Sequence, residues 1–137
     1  MITITEEVQQ HLQILATCRP GTKAWAKHLS LAAWITLRDN PWISTKDQLM
    51  SFPEFTGLRG CTCNCALCEV LPCRSCPLIH CTASANRAWR APYYMWYAAE
   101  SLVNRYYHKL GTVTVQDLRR FAAAIIVRRL EKWKIAD

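Results

Sequence analysis

Seven of the chain's eight cysteines fall within residues 61–81: Cys61, Cys63, Cys65, Cys68, Cys73, Cys76 and Cys81. Two C-x-x-C pairs stand out, Cys65/Cys68 and Cys73/Cys76, and Pro77 follows the second. A C-x-x-C turn offers two thiolates to one ion, and two such turns supply the four soft ligands of a closed tetrahedral zinc site. The expected ligands are therefore Cys65, Cys68, Cys73 and Cys76. The four-residue link between the pairs is short for a zinc ribbon, so membership stays open. Cys81 or His80 could replace one ligand, and Cys61 and Cys63 could substitute or hold a second ion. An iron–sulfur cluster is the alternative cofactor, because it uses the same thiolates and a Cys-Pro step such as Cys76-Pro77. Against it, the C-x2-C-x2-C run of bacterial ferredoxins is absent. Disulfides would require an oxidising compartment. The N-terminus has neither a basic n-region nor an apolar h-region, so a cytoplasmic location is expected. Zinc would also order a stretch with few apolar residues of its own, since a structural site supplies about 10 kcal/mol or more of local folding free energy.

The remainder reads as an all-α chain of 137 residues, expected to form a single domain. Its parts are N-terminal helices over 1–60, the cysteine-rich metal loop over 61–81, and basic C-terminal helices over 82–137, with about five helices in all. Half the residues are hydrophobic, and six Trp, five Tyr and three Phe provide material for a core. No run approaches the roughly 20 apolar residues of a membrane span.

A helix is expected over about Thr5–Thr17, with capping-box spacing at Thr3 and Glu6 and a face of Val8, Leu12 and Leu15. Arg19-Pro20-Gly21 breaks the chain. A second helix over Thr22–Leu37 carries Trp25, Leu29, Ala32 and Ile35 on one stripe, widened by Leu31 and Trp34, so it should pack on two sides. Asp39-Asn40-Pro41 ends it, and Ser44 and Asp47 frame a short capped helix over Thr45–Met50. Residues 51–60 read as ordered loop. A long helix from near Ser84 should break or kink just before Pro92 and run on to Lys109, with Gly111 beyond its end. The last helix, Val115–Lys134, has Thr114 as N-cap and Asp117 at N3. Its expected core stripe is Leu118, Phe121, Ala122, Ile125, Ile126, Leu130 and Trp133. Trp25, Trp34, Trp96 and Trp133 are expected in the core, Trp42 and Trp89 at the surface. Cys18 reads as a buried small hydrophobe.

Charge is concentrated at the C-terminal end. Residues 82–137 hold ten basic and four acidic side chains, against six and five in residues 1–60. Four thiolates around a divalent ion would lower the formal +7 to about +5. Arg87 and Arg90 flank Trp89, and Arg119, Arg120, Arg128, Lys132 and Lys134 stud the last helix. Such a face can grip phosphates and stack on bases, or simply be solvated. Arg129 falls near the core stripe, with Glu100 or Asp117 as an expected partner.

Several stretches together resemble a group of small cysteine-rich proteins of tailed bacteriophages and prophages. They are Trp34 to Asn40-Pro41, Ser44-Thr45-Lys46, Cys65-Ala-Leu-Cys68, Cys73-Arg-Ser-Cys76-Pro77-Leu78, Cys81 and Trp89, within about residues 31–100. The shorter gap between pairs and the extra Cys61 and Cys63 depart from the pattern. The resemblance implies an accessory or early phage protein.

Catalytic signatures are missing. The histidines are scattered at His11, His28, His80 and His108, and no G-x-S-x-G, phosphate loop or H-E-x-x-H occurs. A thioredoxin-like role for Cys73 and Cys76 would need a βαβ context that the helical pattern does not provide. The expected function is a non-enzymatic adaptor that binds a host or phage macromolecule, such as one blocking a host defence system. A protein is the leading partner, and DNA or RNA is the alternative.

Overall fold

The computed structural model describes residues 3–58, 67–71, 76–78, 92–107 and 113–135. The described residues are mostly helical, with no strand among them. In chain order the helices are α1 (Glu6–Leu15), α2 (Lys23–Asp39), α3 (Lys46–Met50), α4 (Leu67–Val70), α5 (Pro92–Tyr97), α6 (Ala99–Leu102) and α7 (Val115–Lys132). A 3₁₀ turn, Pro53–Leu58, follows α3, and a π turn, Val103–Tyr107, follows α6.

α2 is the axis of the fold. Every residue from Leu29 to Leu37 is buried, so the helix is enclosed on more than one side, as its two apolar stripes require. α1 covers one flank and α7 another. Both run antiparallel to α2, because their ends pair crosswise. Glu7 meets Arg38 at 3.4 Å, while His11 meets His28 at 3.0 Å. Lys27 Nζ donates to the Trp133 carbonyl at 2.6 Å, and Arg119 Nη1 to the Pro41 carbonyl at 3.4 Å. α5 adds a third neighbour, setting Trp96 edge-on to Trp34 with ring centroids 5.5 Å apart.

Local signals in the sequence account for most boundaries. Thr22 caps α2 by accepting from the Trp25 N–H, and Gly21 takes the left-handed backbone (φ +86°) that the turn before it requires. At α7, Thr114 N donates to Asp117 Oδ2 at 3.2 Å and Asp117 N donates to Thr114 Oγ1 at 3.0 Å. The backbone N–H of Thr114, then its hydroxyl, hold the Asp117 carboxyl below its ordinary range.

Several expectations are corrected. Thr5, not Thr3, caps α1, because Thr3 is drawn away to Asn40. Thr45 and Gln48 form the capping box of α3. Residues 53–58 form a 3₁₀ turn that buries Phe55, rather than a plain loop. The boundary at Pro92 falls where the sequence puts it: α5 begins with that residue, which a helix tolerates in its first turn. The expected run to Lys109 is interrupted at Ala98 (φ −100°, ψ 21°) and includes a π turn at Val103–Tyr107; Lys109 lies outside the described residues. On α7 the buried arc is Leu118, Arg119, Ala122, Ala123, Ile126, Val127 and Leu130, so Arg119 and Val127 belong to it while Phe121, 58% exposed, does not. Trp34 and Trp96 are buried, Trp25 and Trp133 half-buried, and Trp42 is 43% exposed. Trp89, Gly111 and the start expected near Ser84 lie outside the described residues.

Candidate metal centre and basic face

Two leucines of the cysteine stretch are seated in the core. Leu67, inside the first C-x-x-C pair, is fully buried, and so is Leu78, two residues after Cys76. Val70, Leu71 and Cys76 pack against the same cluster, which includes Trp34 and Leu31. Cys68 stands on α4, and Cys76 Sγ accepts a hydrogen bond from the Leu78 N–H at 3.4 Å. A metal-bound thiolate takes such a contact, because a backbone donor offsets part of the charge that the sulfur keeps. Cys76 thus has a backbone donor on its sulfur and an apolar base beneath it. Cys61, Cys63, Cys65, Cys73, His80 and Cys81 lie outside the described residues. Among the described residues, no group of three or more His, Cys, Asp or Glu is placed to hold a metal ion. Cys18 departs from its expected burial: it is half-buried past the end of α1 and donates its thiol to the Ile14 carbonyl at 3.3 Å.

The basic residues divide into two sets. Arg120, Arg128, Lys132 and Lys134 are exposed, and Arg120 stands 3.8 Å from Asp117. Phe121, Ile125, Arg128 and Lys132 follow i, i+4, i+7, i+11 spacing, so they form one stripe along α7. Phe121 also borders a shallow apolar groove of about 340 Å³ with Met95, Val113 and Leu118. Arg119 is a correction to the expected basic face, since it is only 8% exposed. The reason is register: it sits one residue from Leu118 and three from Ala122, inside the buried arc. It also takes the ion pair with Glu100 that the sequence assigned to Arg129. Arg87 and Arg90 lie outside the described residues.

Two features had no sequence expectation. One is the His11–His28 pair, with Nδ1 atoms 3.0 Å apart. Burial holds both imidazoles below the ordinary histidine range. Lys27 opposes protonation of both, His11 opposes that of His28, and Glu7 and Glu131 partly offset the effect at His11. Antiparallel packing of α1 on α2 is the signal that could have joined them. The other is a cavity beside Arg119. No helix of the described residues is long and apolar enough to cross a membrane. No family model matches the chain, and no curated protein or solved structure matches it.

Proposed function

We propose that this chain is a zinc-stapled, non-enzymatic binding protein of the phage accessory type, and that it engages a host or phage protein through the outer face of α7. The observation that carries this reading is the stripe Phe121–Ile125–Arg128–Lys132. Phe121 exposes 58% of its surface beside an apolar groove, with the cations Arg128 and Lys132 about two and three turns further along. An exposed aromatic flanked by arginine is the composition of a protein-binding hot spot. Its complement is an acidic surface with an apolar insert. Inhibition of a host defence factor is one outcome such capture would have. Zinc on Cys65, Cys68, Cys73 and Cys76 would staple the segment between the N-terminal helices and the α5–α7 unit.

The test is affinity capture from a bacterial extract, with wild type beside Phe121→Ser and Arg128→Glu. A specific protein held by wild type and lost by both variants, at unchanged helical content, is the expected result. Equal capture by all three would refute the α7 face.

A second reading has its own observation. Arg120, Arg128, Lys132 and Lys134 are exposed together with the aromatic rings of Phe121 and Tyr97, which suits phosphates and stacked bases. A nucleic-acid complex would weaken steeply with salt, whereas a protein complex anchored on Phe121 would not.

A further inference from the structure

Arg119 is buried, yet its compensation is thin. Nη1 donates to the Pro41 carbonyl at 3.4 Å, and Nη2 stands 3.7 Å from Glu100 Oε1. Nε is buried with no partner among the described residues. A guanidinium carries five N–H donors and a permanent charge, so a buried one normally holds a close carboxylate or phosphate. Glu100 is a weak substitute, because its side chain is 76% exposed and water competes for it.

The guanidinium lines a half-open cavity of about 430 Å³, together with Ser44, Tyr94, Tyr97, Glu100 and Ser101. That volume suits a small molecule. Tyr97 stacks on Tyr93 with centroids 6.1 Å apart but stays 68% exposed, so it still offers ring surface to a ligand. The fixed charges in the cavity are one cation and one anion. A phosphate dianion would meet Glu100 as a like charge. A carboxylate with a neighbouring ammonium would meet an opposite charge at each end.

We propose that this cavity binds a small zwitterionic carboxylate of the α-amino-acid type. Arg119 takes the carboxylate, Glu100 takes the ammonium, and Tyr94 and Tyr97 flank the side chain. The site is separate from the outer face of α7 and does not depend on it.

The test is a ¹⁵N NMR titration of the full, metal-replete chain with L-phenylalanine, phenylacetate and inorganic phosphate. L-Phenylalanine is expected to shift the Arg119 Nε–H resonance and the Tyr97 and Ser101 amides to saturation. Glu100→Gln should weaken L-phenylalanine by about tenfold and strengthen phenylacetate, since the ammonium contact is lost together with the like charge that opposes a bare carboxylate. Arg119→Lys should weaken both by about tenfold or more. Because Arg119 is buried and its replacement can unsettle the fold, Ser101→Trp provides a second variant. Ser101 is exposed at the cavity wall, and a tryptophan there should block binding while the spectrum stays folded. Absence of shifts at tens of millimolar, phosphate binding as tightly as L-phenylalanine, or full binding by the Ser101→Trp variant would overturn the proposal.

Discussion

Asn40 grips Thr3 through both functions of its side-chain amide. The Thr3 N–H donates to Oδ1 at 2.8 Å and Nδ2 donates to the Thr3 carbonyl at 3.0 Å, so one side chain pairs with the backbone as a strand would. Nδ2 also donates to the Thr36 carbonyl at 2.8 Å, a second bond to an acceptor that already takes the Asn40 backbone N–H at 2.9 Å. The residue is 2% exposed, so these groups have little water to fall back on. Asn40→Ala leaves the Thr3 N–H and carbonyl without their partner, while the Thr36 carbonyl keeps the Asn40 backbone N–H, and should cost about 1–2 kcal/mol. Asn40→Asp should cost at least as much, because a carboxylate cannot donate to either carbonyl. Urea denaturation checks both, and an unchanged midpoint for Asn40→Ala would remove Asn40 as the tie.

The Asn40 contact illustrates what the sequence could and could not convey. Asn40-Pro41 was legible as a helix stop from local chemistry alone. That Asn40 reaches Thr3, and that Pro41 presents its carbonyl to Arg119, depends on antiparallel packing, which local chemistry does not encode. The caps at Thr22 and Thr114 were read correctly because a cap needs only its own next three residues. The α7 stripe was read about one position off: Phe121 and Arg119 exchange roles, because a charged residue among alanines can turn inward when a carbonyl and a carboxylate await it. The cysteine spacing is legible as a ligand pattern, whereas the burial of Leu67 and Leu78 within that stretch is not, because it depends on packing against distant helices.

Trp34 and Trp96 meet edge to face at 85°, both with their indole N–H groups buried and without a partner among the described residues. Trp34→Ala should cost about 3–5 kcal/mol through lost packing and the cavity left behind. Trp34→Phe should cost far less, since it removes an unsatisfied donor along with the lost ring volume. Thermal denaturation of the two variants would decide the matter. Equal losses would mean that the Trp34 N–H has a partner in solution.

The His11–His28 pair predicts acid sensitivity. With Nδ1 atoms 3.0 Å apart, one ring must donate and the other accept, and two imidazoliums cannot share the contact. Burial holds both groups below the ordinary value of 6.5, so the unfolded chain takes up protons first as the pH falls. Stability is then fully present above about pH 7 and falls as the pH drops through 6.5, levelling off only below the folded-state values. The neighbouring Glu7 and Glu131 moderate the effect, and Lys27 strengthens it. The double variant His11→Gln/His28→Gln should flatten the fall in urea midpoint between pH 7.5 and 5.5. A slope that survives the double change would assign it to other groups.

Metal removal should separate Cys76 from Cys18. Cys76 lies against the core and accepts the Leu78 N–H, whereas Cys18 is tied to the Ile14 carbonyl beyond α1. If Cys76 belongs to the ligand set, Cys76→Ser should lose the bound ion, and with it the order of the segment that Leu78 anchors. Cys18→Ser should keep the metal and shift stability by about 0.5 kcal/mol or less, as surface changes usually do. Elemental analysis of the purified proteins gives the count, and an absorbance scan identifies the metal. About one zinc per chain without a visible band supports a closed thiolate site. Iron with a broad band near 400 nm would instead identify a cluster, because thiolate-to-iron charge transfer absorbs there. A Cys76→Ser protein that retains a full equivalent of zinc would move the fourth ligand to Cys81 or His80.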